Sequence, residues 1–374
     1  MGAELNGLLD LFVRLVEIPS PSGHERAVAD FILSYLRGHG LEPAEDGSAP
    51  ATGAGSGNIT VVLPGEGRGT PIVVAAHMDT VAVDGPIRAV VDDGVVRSAG
   101  DTILGGDDKA ACTALLAVLA DLAAAPPPCG FAAVFSTCEE VGLRGAKALD
   151  LSRLGAQAGF VFDSTGPVGA VITRAPSQKM LTADFHGVAA HAGIAPENGR
   201  SAIAAAAAAI AAMKLGRIDE QTTANIGLID GGSARNVVPE RCRVEGEVRS
   251  HDTAALAAHT ASLVDAVQLA AGLAGIDVEV TVRDAFSRFA LADDALPVRI
   301  ACAALREIGI EPRIAASGGG SDVNVYNAAG LPSVNLSVGM EKVHTPDEYL
   351  PVERLGDTYR LLHALLRVAA ATTR

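Results

Sequence analysis

Apolar positions along this chain follow more than one rhythm. Over residues 5–16 and 24–36 they return at helical spacing, which predicts two amphipathic helices. Further on, "NITVVLP", "PIVVAAHMDT", "FAAVFST" and "AGFVFDS" are short runs rich in β-branched and apolar residues and read as strands. Helices are expected between them over 110–124, stopped by the prolines at 126–128, and over 143–150. The stretch "APATGAGSG" reads as loop from its Gly and Pro content. Strand alternating with helix argues for an α/β architecture, an open mixed sheet with helices on both faces.

After residue 176 the pattern changes. "KMLTADFHGV" and "ERCRVEGEVRSH" alternate apolar with polar, as a strand with one solvated face does. "TTANIGLIDGG" and "DVEVTVRDAF" read as further strands, and 202–214 and 254–271 as helices. That set predicts an antiparallel sheet with two helices on one side, a separate α+β lobe. A helix at 296–308, the strand "PSVNLSV" and a closing helix at 355–371 then resume the first texture. The expected organisation is one domain over 1–176 and 291–374, with a second, 177–290, inserted into it.

Length agrees with two lobes, because 374 residues exceed one ordinary domain. The formal net charge is -15 with no basic cluster, which argues against nucleic acid or an anionic membrane as partner. The five cysteines are odd in number and form no CxxC pair, as expected of thiols in a reducing compartment. The N-terminus is amphipathic and carries acids, unlike a signal peptide, and the longest apolar stretch, 202–213, is too short to span a bilayer. A soluble cytoplasmic protein is expected.

The chemistry gathers at strand ends. "PIVVAAHMDT" ends in His77 and Asp79; "LGGDDKAA" holds Asp107 and Asp108 before a helix; "TCEEVG" supplies Glu139 and Glu140; "FVFDST" ends in Asp163; "EKVHTPDEY" adds His344. Strand C-termini of an open α/β sheet are where ligands bind. Buried acids are costly singly, and a cation is what lets several of them converge. With His77, Asp107, Glu140, Asp163 and His344 as ligands, three carboxylates are balanced by two divalent cations and one hydroxide. Imidazole with carboxylate suits zinc, with manganese or cobalt as alternatives. The chain has no HExxH, GxSxG or GxxxxGK motif.

In order along nearly the whole chain, "HMDT", "GGDDKAA", "CEEVG", "FDSTG" and "GMEKVHTPDEY" resemble the metal motifs of the M20 family of di-zinc metallopeptidases. "HAGIAPENGRSAI" and "GGGSDVNVYNAAGLPSVNLSVGMEKVHTPDEY" most resemble its peptidase T (tripeptidase) and peptidase T-like branch. The resemblance implies that His77 and Asp163 hold one zinc, that Glu140 and His344 hold the other, and that Asp107 bridges them. Asp108 is then a neighbour whose charge suits a helix N-terminus. Asp79 is expected to orient His77 through its other ring nitrogen, and Glu139 to act as general base on metal-activated water.

For the inserted lobe the resemblance implies a lid or dimerisation domain of a homodimer. His191 would reach across that dimer to polarise the substrate carbonyl, the alternative being a solvated or capping histidine. Asn236 and Arg249 match substrate-contacting positions; Arg249 suits a substrate carboxylate, against the alternative of a surface charge on an alternating strand. Glycines 318–320, Gly319 at their centre, would let backbone approach ligand, or form a plain flexible turn. The expected activity is a zinc-dependent exopeptidase acting on short peptides, a tripeptide aminopeptidase. An M20-type dipeptidase or N-acyl amino acid deacylase is the alternative on the same metal residues, and a non-catalytic binding protein is the reading from another class.

Overall fold

The structure is a computed structural model and describes residues 2–67 and 69–372. The chain divides into two compact units: the first comprises 1–174, 290–316 and 321–374, the second 175–289 and 317–320.

The first unit is built on a mixed sheet. Its order runs Ala44–Glu45, Ile59–Leu63, Phe131–Ser136, Ile72–His77, Ala158–Ser164, Ser333–Ser337, Ala170–Ala175, with Arg313–Ala316 beside the last. The central strands Phe131–Ser136, Ile72–His77, Ala158–Ser164 and Ser333–Ser337 are mutually parallel. All six residues of Ile72–His77 and of Phe131–Ser136 are buried, which explains continuous apolar runs rather than alternation.

Ile72, Val74 and Ala76 join one core with the helices Gly2–Val16, Arg26–Gly38, Gly106–Ala124, Leu296–Glu307 and Val352–Ala371. Val73 and Ala75 are equally buried on the opposite face. There Ser136, on the same strand as Val134 and in register with His77 of the neighbouring one, donates its hydroxyl to Asp322 of the short helix Asp322–Ala328. Gly106–Ala124 is enclosed on nearly every side and reads as uniformly apolar for that reason. Because the central strands are parallel, His77, the 137–140 turn, Asp163 and the segment leading to His344 all emerge at one edge of the sheet.

Several elements among the described residues were not expected from the sequence, and three bear on its reading. A small sheet of Ala89–Asp92, Val95–Ser98 and Tyr349–Pro351 is half exposed and carries little apolar signal. The helix Asp322–Ala328 opens with a capping box closed by Asn324 in place of the usual Glu or Gln. Within "APATGAGSG", Ala49–Thr52 forms one helical turn ended by Gly53.

The second unit is a five-stranded antiparallel sheet in the order Gly216–Arg217, Thr222–Gly231, Arg241–Ser250, Ser177–His186, Asp277–Phe286. Two helices, Ala202–Ala212 and Thr253–Ala274, are capped by Ser201 and Asp252, whose side chains accept N–H groups of their first turns. Ala206 and Val267 pack on Phe185 and Val244 of the sheet. Thr253–Ala274 is long and apolar enough by composition to cross a membrane, yet Leu256, Leu263 and Val267 are buried against the sheet.

Candidate metal centre

At the end of its strand, His77 is fixed by Asp79. The ring Nδ1–H donates to the Asp79 carbonyl at 2.9 Å, which directs Nε2 at the site as the nitrogen that offers its lone pair whenever the ring is neutral. Nε2 lies 3.2 Å from Asp107 Oδ1 and 3.8 Å from Asp163 Oδ1. The other oxygen of Asp107, Oδ2, lies 3.1 Å from His344 Nε2, which is also 2.9 Å from Glu140 Oε1. One carboxylate thus offers an oxygen to each of two imidazoles, with Asp163 at one side and Glu140 at the other.

Asp79 meets the other ring nitrogen of His77 by its backbone. Its carbonyl orients His77, while its carboxylate lies 3.6 Å from Nδ1, beyond hydrogen-bond reach. That carboxylate instead accepts the N–H of Glu139 at 3.0 Å, the N–H of Glu140 at 3.3 Å and the Ser22 hydroxyl at 2.6 Å. The strand has ended at Ser136, and Cys138 turns the backbone with φ +51. Alternation no longer applies, so both glutamates face inward. Glu139 is grouped with His77 and Asp163, and Glu140 with His77 and Asp107, with ligand atoms in each group lying within 4.8 Å of one another.

Asp107 sits on a turn that favours glycine. Gly105 holds φ +70, and Asp107 and Asp108 are non-helical before the helix proper. Asp108 is fully buried; one oxygen accepts the N–H of His77 at 3.2 Å and the other has no hydrogen-bond partner among the described residues. It therefore braces the His77 backbone as well as standing beside the helix N-terminus. Glu348 was not singled out by the sequence. Its buried carboxylate accepts the N–H groups of Leu104 and Gly105 at 2.8 Å each, and of Asp107 at 3.1 Å.

The electrostatics fit a cation-binding set. Burial pushes Glu139 and Asp163 well above the usual carboxylate range, and neighbouring acids add to it. Burial opposes a charge on His77, but Asp107 and Asp79 outweigh it and raise the imidazole. His344, bonded to Asp107 and Glu140, is raised to about 10. Both imidazoles are thus drawn toward the cationic form by carboxylates crowding one point, a demand that divalent ions meet. Two imidazoles and three carboxylates are a donor set suited to zinc, manganese or cobalt.

On the second unit, His191 lies in a two-stranded ribbon of Ala190–His191 with Val237–Val238. Ala192 N–H donates to the Asn236 carbonyl at 2.9 Å, bringing His191 and Asn236 side by side, both exposed. Arg249 lies near Gly319, whose absent Cβ would sit 3.6 Å from Nη1. Its guanidinium fork is already engaged, with Nε 2.8 Å and Nη2 3.0 Å from the two oxygens of Glu247. Gln178 bonds the same carboxylate.

Comparison with known proteins gives the arrangement a context. An M20 model described as a peptidase dimerisation domain matches residues 177–272, and one described as peptidase family M28 matches 58–195, the stretch from His77 to Asp163 included. The "Uncharacterized protein YqjE" of Bacillus subtilis (strain 168) is 38% identical over 97% of this chain and 98% of its own. The crystal structure of aminopeptidase PepT from Bacillus cereus ATCC 10987 matches at 38% identity and TM-score 0.84, covering 98% of this chain and 99% of that one. A tripeptidase structure from Staphylococcus aureus subsp. aureus Mu50 matches at 35% identity and TM-score 0.90, with the same coverage. The chain belongs to the M20 family of metallopeptidases, in its peptidase T-like branch.

Proposed function

We propose that this metallopeptidase is a di-zinc tripeptide aminopeptidase that releases the N-terminal residue of short peptides. The observation that carries the reading is the Asp107 carboxylate, with one oxygen toward His77 and the other toward His344. His77 and Asp163 would hold one metal, Glu140 and His344 the other, and Asp107 both. Bound divalent metal would polarise the scissile carbonyl and acidify water at the site.

The chain's own contribution centres on Glu139. Its carboxylate takes a proton from the attacking water and delivers it to the departing amine. Its carboxylate stands among ligand atoms of His77 and Asp163 within 4.8 Å, close enough to serve water held at the site. Asp79 fixes where that carboxylate stands through the Glu139 N–H, and fixes His77 through its own carbonyl. We assign substrate contacts to His191, Asn236, Arg249 and Gly319. Arg249 binds the peptide's terminal carboxylate by exchanging Glu247 for it. The name of the similar tripeptidase structure supports the substrate class and that of the aminopeptidase PepT structure supports N-terminal cleavage, and the dimerisation-domain match supports a homodimer through residues 177–290. Five free thiols support a reducing, cytoplasmic setting.

A peptide panel tests the reading. Zinc-loaded protein is given tripeptides, dipeptides and N-acetylated amino acids, and released products are identified. Free tripeptides turning over fastest, with the N-terminal residue released first, is the expected result. Faster cleavage of N-acetylated substrates would replace the aminopeptidase with a deacylase.

A further inference from the structure

The turn that presents Asp107 is held from a distant part of the chain. Leu104, Gly105 and Asp107 direct their N–H groups at the single carboxylate of Glu348. Oε2 accepts the first two and Oε1 the third. The side chain is 1% exposed, so water does not substitute for these bonds. Gly106, between the donors, is tightly placed: a Cβ there would stand 3.1 Å from Glu348 Oε1 and would crowd it.

The segment that supplies Glu348 also supplies His344. Glu341 and Tyr349 exchange both backbone hydrogen bonds at 3.1 Å and close the loop between them. Glu348 N–H donates to the Thr345 carbonyl at 3.0 Å within that loop. Asp107 is therefore gripped twice by one loop: its side-chain Oδ2 faces His344, and its backbone N–H is received by Glu348.

We propose that Glu348 is a positioning residue for the metal centre, its carboxylate setting the Asp107 turn so that both Asp107 oxygens stand where the two metals take them. The inference rests on Asp107 serving as a metal ligand. Glu348 touches neither substrate nor metal. Its effect passes through the backbone of Asp107 and, through the shared loop, through the register of Asp107 against His344. The three N–H donors also need two acceptor oxygens. An amide at 348 keeps the size and offers one, so its NH₂ must face an N–H donor.

The test measures zinc affinity of the full-length protein by competition with a chromogenic chelator, alongside thermal stability of the metal-free protein and kcat and KM. Glu348→Gln is expected to weaken zinc binding about 10–100-fold, with the peptide KM unchanged once zinc is saturating. Gly106→Ala, which leaves the carboxylate and crowds it, is expected to weaken zinc less and in the same direction. It decides the matter if Glu348→Gln does not fold. Val171→Ala, in the core away from both segments, serves as a control that loses stability but keeps zinc affinity. Affinity within twofold of the parent in Glu348→Gln, or an equal loss in Val171→Ala, overturns the proposal. Asp107→Asn run in parallel separates the two claims. If it loses zinc while Glu348→Gln keeps it, only the positioning role fails; if it too keeps zinc, the site assignment fails with it.

Discussion

His77 is 2% exposed, and its ring meets Asp79, Asp107 and Asp163; His191, on the second unit, is exposed, and its ring accepts the N–H of Gly193. The same contrast runs through the other candidates. Asp79, Asp107 and Glu139 are buried, each in contact with another group of the centre, whereas Asn236 is exposed and Arg249 half-buried on a strand beside Glu247. Buried ionisable groups are held by their neighbours, so changing one disturbs several. Exposed ones can be removed with little consequence for the fold. Chemistry and metal affinity should therefore answer to the first unit, and substrate affinity to the second.

The sharpest division comes from Glu139→Gln. Turnover is expected to fall about 10²–10⁴-fold while zinc content stays at the parent value, read by steady-state kinetics and metal analysis. Turnover within tenfold of the parent would remove Glu139 from the reaction. Next in size is the pair His77→Ala and His344→Ala, compared by denaturant unfolding of the metal-free proteins. Losing His77 strands buried carboxylates and is expected to cost about 3–5 kcal/mol. His344, 46% exposed, should cost far less stability although zinc affinity falls in both. Equal costs would erase the distinction between the buried and the exposed imidazole.

On the second unit, Arg249→Ala is expected to raise KM about tenfold for peptides with a free terminal carboxylate, as loss of a charged hydrogen bond does. C-terminally amidated peptides should show no change, and a rise for both kinds would take Arg249 off the carboxylate. The smallest effect concerns pH. In chelated protein, His344 is raised to about 10 by Asp107 and Glu140 from an unfolded value of about 6.5. A group raised on folding stabilises fully below its unfolded value and ceases to as pH climbs through its folded one. Metal-free protein should thus lose stability between about pH 6.5 and 10, and His344→Ala should flatten that slope in thermal melts at stepped pH.

Much of the first unit was legible because its strands are short apolar runs that end in polar residues. "IVVAAH" announces both a buried strand and a histidine at its rim, and "FAAVFS" before Cys138 does the same for the glutamates. The long helices of both units were legible from spacing, to within a few residues at their ends. The hairpin Ala89–Asp92 and Val95–Ser98 was not, because Val90 and Val91 lie exposed and the strand pairs only at its neighbour. Glu348 was not, since "HTPDEY" reads as a solvated acidic turn until its three N–H donors arrive from residues some 240 positions earlier. How Asp79 reaches His77 was hidden for a related reason: sequence shows which residue is near the ring, but not that its carbonyl, rather than its carboxylate, bonds Nδ1. Arg249 looked unengaged because Glu247, two residues away on the same strand, points to the same side.

His344 follows Asp107 by 237 positions. A ribosome making this chain has finished the whole second unit before that last imidazole leaves the exit tunnel. Until then the growing polypeptide holds an incomplete set of donors, and a product terminated before residue 344 never completes it. On the ligand set proposed above, the hydrolytic function waits for His344, and copies that stop before it would be inert toward the peptides around them.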